Sequence, residues 1–323
     1  MEIIAGIELP DSQWVDVDGP VHYREWAGPS EGPTFVCVHG LGGSHLNWAG
    51  VAPGLSLRGR LLAPDLAGFG LTPPAGRGTG LGSNWRLLHG FLEAMELGPV
   101  ILVGNSMGGQ LSLIQAAHSP GSVEALILVD AAFPRARAVR AQPSVRVAGL
   151  FALYSNRRLG EWFVNSRTRR LGPERLVRET LRLISADAST IDPSLVEAHI
   201  QMARTREDFD YSAQAFLDAA RSIFRAQLYP ARYRALVQTV RSDAFVLHGD
   251  KDPLVPVAAA REAAAAHTNW RMAVLPNVGH IPMLEAPDRC LQAIEAWLDD
   301  LRRPGQQPVS LPRQSGLRAS GNR

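Results

Sequence analysis

Lysine is nearly missing from this chain: of 33 basic residues, only Lys251 is not an arginine. The skew reads as a coding bias rather than a binding signature. With 31 acidic residues the formal net charge is only +2, too small to argue for a nucleic-acid partner. Short arginine runs such as Arg157-Arg158 and Arg169-Arg170 have acidic residues nearby and read as solvated helix faces. Cysteine is scarce too. Cys37 and Cys290 make no disulfide framework and have no metal-ligand spacing, so each is expected to be a small buried hydrophobe. No apolar run approaches the ~20 residues of a membrane span. Met1 to Gly6 lack the basic-then-apolar pattern of a secretion signal. The expected setting is therefore cytoplasmic, without integral membrane association.

What is present is an ordinary globular composition, 46% hydrophobic and 20% charged over 323 residues, ample for a large core with an insertion. Segments 15–17 and 21–26 flank Asp18-Gly19-Pro20 as a hairpin-like opening. Apolar β-branched runs at 34–39, 60–65, 99–103 and 125–130 predict strands. Between the second and third of these, residues 84–97 repeat Leu87, Leu88, Phe91, Leu92 and Met95 at helical spacing, with Ser83 as the expected cap. From 134 to 240 strand signals all but vanish and helical patterns take over, at 175–184, 194–202 and 211–224, with Pro173 and Pro193 near helix starts. Alternation resumes at 244–249 and 271–275, followed by an amphipathic helix from Pro287 to about Leu301. The expectation is an α/β fold: a mostly parallel central sheet flanked by helices, formed by 1–133 and 241–302, with an inserted helical cap at 134–240. Residues 303–323, rich in Pro, Gly, Gln and Ser, are expected to be a disordered tail.

The sharpest local signal is Gly104-Asn105-Ser106-Met107-Gly108. Alone, G-x-S-x-G is weak. Here an apolar strand pattern precedes it and a helix pattern follows, which is the setting of a nucleophile elbow: a turn so tight that its serine takes a strained backbone and needs small neighbours. A phosphate-holding loop is the bland alternative, but the G-x-x-x-x-G-K-[ST] pattern is absent and no lysine is near.

A serine hydroxyl at neutral pH needs a base, and the base needs an orienting acid. Two later loops supply them. Gly249-Asp250-Lys251-Asp252 ends one strand, and Gly279-His280 follows the last; both leave carboxyl ends of parallel strands, the edge where the elbow presents Ser106. His39-Gly40-Leu41-Gly42-Gly43 is a turn whose amides are free to face inward.

With these landmarks in order, together with Asp65, Gly68 and Gly70, nearly the whole chain outside the cap and tail resembles the α/β-hydrolase superfamily. The resemblance implies Ser106 as nucleophile, His280 as base and Asp252 as acid, with Asp250 holding its loop. It also implies an oxyanion hole from the backbone N–H groups of Leu41 and Met107. Asp130, after the strand that follows the elbow helix, is the rival for the acid. His39 and His248 read as structural, Asp65 as fixing its own turn, and His45 as either bordering the pocket or lying on the surface. The chemistry requires no metal or organic cofactor.

Haloalkane dehalogenases and epoxide hydrolases share the layout but use an aspartate at the elbow, so Ser106 argues against both. Carbon–carbon bond hydrolases can share the Gly-Asn-Ser-Met-Gly-Gly wording, yet usually carry a proline in the oxyanion loop and a tryptophan after the catalytic histidine. This chain has Gly42-Gly43-Ser44 and Ile281. A carboxylesterase or small lipase acting on a small molecule with an apolar acyl or alkyl group is the leading expectation. Carbon–carbon hydrolase, lactonase, perhydrolase and a non-turnover receptor or scaffold stay open. Val145, Val147, Leu150, Phe151, Leu153 and Tyr154 either line an acyl pocket or pack the cap on the core; a membrane-binding helix is the third reading, but the stretch is short and lacks a clear two-faced charge pattern.

Overall fold

A strand covered by helices on both faces has no solvent side, so it must be apolar at every position rather than at alternate ones. The computed structural model describes residues 1–136, 149, 153–154 and 156–301; the expected tail, and Val145, Val147, Leu150 and Phe151, lie outside them. The chain starts with a small antiparallel hairpin, β1 (Glu2–Ile4) and β2 (Ile7–Leu9). Its turn is Ala5-Gly6, both with positive φ, 53° and 85°. Such turns favour Asn or Asp before the glycine, and alanine in that place hides the hairpin from a sequence reading.

The main sheet is built from β3 (Gln13–Asp16), β4 (Pro20–Trp26), β5 (Phe35–Val38), β6 (Leu61–Pro64), β7 (Val100–Asn105), β8 (Val123–Val129), β9 (Asp243–Gly249) and β10 (Trp270–Leu275). The order across it is β10-β9-β8-β7-β5-β6-β4-β3. Strands β5 to β10 pair in parallel, and β3 and β4 add an antiparallel edge. The expected mostly parallel α/β sheet is present, with strand ends differing by a residue or two. Every residue of β5, β6 and β7 is buried.

The helices are α1 (Ala52–Ser56), α2 (Leu81–Ala94), α3 (Met107–His118), α4 (Arg157–Ile184), α5 (Pro193–Thr205), α6 (Ser212–Leu228), α7 (Pro230–Gln238), α8 (Val257–Ala265), α9 (Pro282–Glu285) and α10 (Pro287–Leu301). On one face of the sheet Phe35, Ile101, Ile127 and Phe245 meet Cys290, Ile294 and Trp297 of α10, and Trp297 stacks on Phe245 with ring centroids 5.7 Å apart. On the other, Val36, Leu102, Leu126 and Val246 share a core with Leu88 and Phe91 of α2 and Leu111 of α3. Both cysteines are buried and free. Among the described residues, no helix is long and apolar enough to cross a membrane.

Three local expectations need correction. Helix α2 starts at Leu81, not after Ser83, with Gly80 at its N-cap. The Leu81 N–H is satisfied from another element, by Ser222 Oγ of α6 at 2.9 Å. Asn84 is spent on Ala67 and Thr79, each at 2.8 Å. The 175–184 helix begins much earlier, at Arg157, and breaks where Gly172 takes φ 68° just before Pro173; polar residues around the apolar ones mask its first half. His45 neither borders the pocket nor lies on the surface. It is fully buried against Asp65.

That aspartate does more than close a local turn. Its carboxylate accepts the backbone N–H groups of His45 (2.7 Å) and Leu71 (2.9 Å) and faces Nδ1 of both His22 (2.8 Å) and His45 (3.0 Å), the acid and both imidazoles buried. Burial alone would raise its pKa, but the two imidazoles outweigh it and hold the carboxyl well below the usual range. Asp65 thereby ties β4, β6 and the loop after β5 together behind the sheet edge. Replacing one member of such a buried network typically costs ~3–5 kcal/mol. Asp65→Asn should therefore lower the urea unfolding free energy by about that amount. Because the folded pKa is depressed, the Asp65 contribution is present above about pH 4 and is lost as pH falls through the lower folded value; the variant should lack that acid-side loss. A variant as stable as the parent at pH 7 would refute this role.

Candidate active site

The strand order places β5 and β7 side by side although β6 lies between them in sequence. A crevice opens at such a switch point, outside the carboxyl ends of the strands. The turn after β5 and the turn after β7 both open into it.

The β7 turn carries Ser106 with φ 53° and ψ −114°, a region a residue with a Cβ occupies only at a cost of ~1–3 kcal/mol. Backbone bonds hold it there: the Ser106 N–H reaches the Val129 carbonyl at 3.1 Å, and the Ser106 carbonyl accepts from Gln110 (3.1 Å) and Ala132 (3.0 Å). Helix α3 then packs so close to β5 and β7 that side chains are excluded. A Cβ on Gly104 would lie 2.6 Å from backbone atoms of Gly108 and Gly109, and one on Gly108 would overlap the Val38 carbonyl.

His280 sits in the loop after β10, and three contacts fix it. Its N–H donates to the Ile184 carbonyl at 2.8 Å, its carbonyl accepts from Asn105 Nδ2 at 3.1 Å, and its Nδ1 lies 2.7 Å from Asp252 Oδ2. The other Asp252 oxygen accepts the N–H groups of Leu254 (2.7 Å) and Val255 (3.0 Å). Burial alone would raise the Asp252 pKa; the charge and hydrogen bond of His280 outweigh it and hold the carboxyl low. Asp252 is thus an acceptor, and Nδ1 of His280 is the donor in their bond.

Ser106 and His280 both line a cavity of about 960 Å³ with Gly40, Leu41 and Asn105. The remaining wall is largely apolar and comes from the helices between β8 and β9: Phe163, Val177, Leu181, Met202, Phe209 and Phe216 among others. Tyr154 lines it as well. Arg206 ties this helical wall to the β6 loop, donating to the carbonyls of Gly70 (2.6 Å) and Gly68 (2.8 Å). Met107, buried, opens α3 directly after Ser106.

His39 receives the Leu66 N–H on Nε2 at 3.0 Å and donates from Nδ1 to the Gly40 carbonyl at 2.8 Å; burial pushes its pKa down to about 4, so it is a neutral brace for the turn. His248 spends Nε2 on the Val255 carbonyl at 2.9 Å. Asp250 accepts the Asn277 N–H at 2.6 Å, joining two loops rather than only its own. Asp130 points one oxygen at the Gly249 N–H, 3.0 Å away. Two buried sets combine metal-ligand residue types, His22–His45–Asp65 and Asp130–His248–Asp252; hydrogen bonds to Asp65 organise the first, and the second includes the partner of His280.

Two residues that position the site carry little sequence signal. Asn105 links the elbow to the histidine loop through Val129 and His280, yet an asparagine beside the serine says nothing of so distant a carbonyl. Glu285, buried, accepts the N–H groups of Gly279 (2.7 Å), Ala186 (2.9 Å) and Asp187 (2.9 Å). A lone acid in an apolar stretch is its only trace in the sequence.

Known proteins share this fold. The family model for the alpha/beta hydrolase fold matches residues 33–287. A 2-hydroxy-6-oxo-2,4-heptadienoate hydrolase of Pseudomonas putida is 32% identical over 237 residues, covering 70% of this chain and 74% of that protein. An esterase from Thermogutta terrifontis superposes with a TM-score of 0.67 at 22% identity, over 91% of this chain and 100% of the other. A meta-cleavage product hydrolase from Pseudomonas fluorescens does so with a TM-score of 0.68 at 21% identity, over 91% and 98%. The chain belongs to the α/β-hydrolase fold family.

Proposed function

We propose that this hydrolase cleaves carboxylic esters with apolar acyl or alkyl groups through an acyl-enzyme on Ser106. One observation carries the reading: His280, held at 2.7 Å by the buried Asp252 carboxylate, shares the wall of a single, largely apolar cavity with a strained, elbow-borne Ser106. His280 Nε2 takes the hydroxyl proton as Ser106 Oγ attacks the carbonyl carbon, and Asp252 stabilises the imidazolium. The backbone N–H groups of Leu41 and Met107 hold the oxyanion. His280 then gives its proton to the leaving alcohol and activates a water that releases the acid. The helices between β8 and β9 act as the cap, and their aromatic and aliphatic side chains select the apolar part of the substrate.

A second reading rests on the 32% identical relative: the same nucleophile and base would cleave a carbon–carbon bond beside a ketone, in a substrate like that in the relative's name. The triad serves both; what differs is whether the leaving group is protonated on oxygen or on carbon.

Incubation with p-nitrophenyl acetate, butyrate and octanoate should release nitrophenol, with higher kcat/KM for the longer chains. A 2-hydroxy-6-oxo-dienoate should be the poorer substrate. The reverse ranking would transfer the assignment to carbon–carbon hydrolysis, and labelling by a fluorophosphonate without turnover of either class would favour a receptor. Ser106→Ala should reduce kcat on the order of 10⁶-fold; turnover surviving in it sinks the mechanism. Asp252→Asn should cost about 10⁴ in kcat, far more than Asp130→Asn. The opposite order would make Asp130 the acid of the triad.

A further inference from the structure

Behind the Asp252–His280 pair lies a second buried acid that the reaction above does not use. Asp130 follows β8 in a left-handed backbone conformation, φ 44°, its N–H on the Leu247 carbonyl at 2.9 Å. Its side chain is fully buried. A carboxyl oxygen of Asp130, one of Asp252 and a ring nitrogen of His248 all lie within 4.8 Å of one another.

The hydrogen-bond partners of the two acids are unequal. Asp252 receives three donors: His280 Nδ1, Leu254 N and Val255 N. Asp130 receives one, the Gly249 N–H on Oδ1, and its Oδ2 is buried with no partner among the described residues. His248 does not make up the difference. Its Nε2 is 3.5 Å from each carboxyl and 2.9 Å from the Val255 carbonyl, which takes its hydrogen. Two carboxyls this close, both out of water, cannot both be ionised. The charge belongs where the donors are, on Asp252. A proton on Asp130 turns the orphan oxygen from an unmet acceptor into a donor, with the Asp252 carboxylate at hand to receive it.

We propose that Asp130 is a positioning residue, a neutral carboxylic acid that donates a hydrogen bond to Asp252 and keeps a single negative charge behind His280. Burial first, and then the charge of Asp252, push the Asp130 carboxyl well above the usual carboxylate range. The other titratable groups about it act in the same sense or are neutral. Glu285 from α9 adds a like charge. The Cys290 thiol of α10 is driven up by its own burial. His248 is held neutral by burial. The bond adds a fourth donor to the Asp252 carboxylate and steadies it as the partner of His280 Nδ1.

The catalytic consequence rests on the Asp252–His280 reading; the protonation state does not, and two measurements separate them. The first is the unfolding midpoint of the wild type and Asp130→Asn from pH 4 to pH 9. A carboxyl raised in the folded state contributes stability that is full below the unfolded value of about 4 and is lost as pH rises toward the folded one. The amide does not titrate, so the midpoint of Asp130→Asn relative to the wild type should climb steadily with pH. A difference flat with pH overturns the proposal. In the infrared spectrum at pH 7, the carbonyl stretch of a protonated carboxylic acid should be present in the wild type and lost in Asp130→Asn; its absence from the wild type also overturns it. The second measurement is the ester kinetics. Asp130→Asn, which still offers an N–H to Asp252, should stay within about threefold of the wild type. Asp130→Leu, which offers none, should lose about tenfold or more in kcat with KM little changed. Equal losses in the two variants refute the donor role. If the wild type turns over no ester, the ester reading fails, while the pH and infrared results still decide whether Asp130 is the neutral acid.

Discussion

The close packing of α3 onto β5 and β7 is the constraint from which the site follows. A helix can start directly behind a strand only if the residue at the corner accepts a left-handed backbone and the residues on either side leave no side chain in the way. Ser106 takes that conformation, and Gly104 and Gly108 leave the space. In return the hydroxyl stands at the edge of the sheet rather than inside it, and the N–H groups at the start of α3 are not consumed by the helix. The strain is held by bonds to Val129, Gln110 and Ala132, so the corner is stiff as well as exposed.

Stiffness at one corner would be of little use if the histidine were free to wander. Its loop is bound from three directions: by Asn105 beside Ser106, by Asp252 after β9, and by Ile184 at the end of the long helix α4. Glu285 gathers Gly279 with Ala186 and Asp187 from below. The helices between β8 and β9 are therefore tied to the His280 loop as well as lining the cavity. The end of α4 and the His280 loop are thus joined by a direct backbone hydrogen bond.

Acids and histidines are drawn together in two buried clusters, yet each is arranged so that one carboxylate gathers the donors: Asp65 in the first, Asp252 in the second. Burying a charge is tolerable only where hydrogen bonds replace its water. Asp65 applies that rule to hold the sheet edge, and Asp252 applies it to hold an imidazole.

Much of this was legible in the sequence. Continuous apolar strands, a glycine-flanked serine at a strand-to-helix corner, and an acid and a histidine after later strands are local patterns, and each has a local cause: side-chain periodicity or backbone sterics. Patterns of that kind give the parallel sheet and the helical patterns between β8 and β9, whereas the choice of Asp252 over Asp130 as the partner of His280 comes from the family resemblance and is met in the structure by a 2.7 Å contact. They do not give the start of α2, because Ser222 from a distant helix satisfies its first N–H. Nor do they give the first half of α4, the burial of His45, or the hold of Asn105 and Glu285 on the histidine loop. Above all, a sequence cannot say whether two acids of similar wording share one dry site. Whether Asp130 carries a charge depends on the nearness of Asp252 and on which of them the backbone N–H groups face, and only the packing of β8 against β9 decides that.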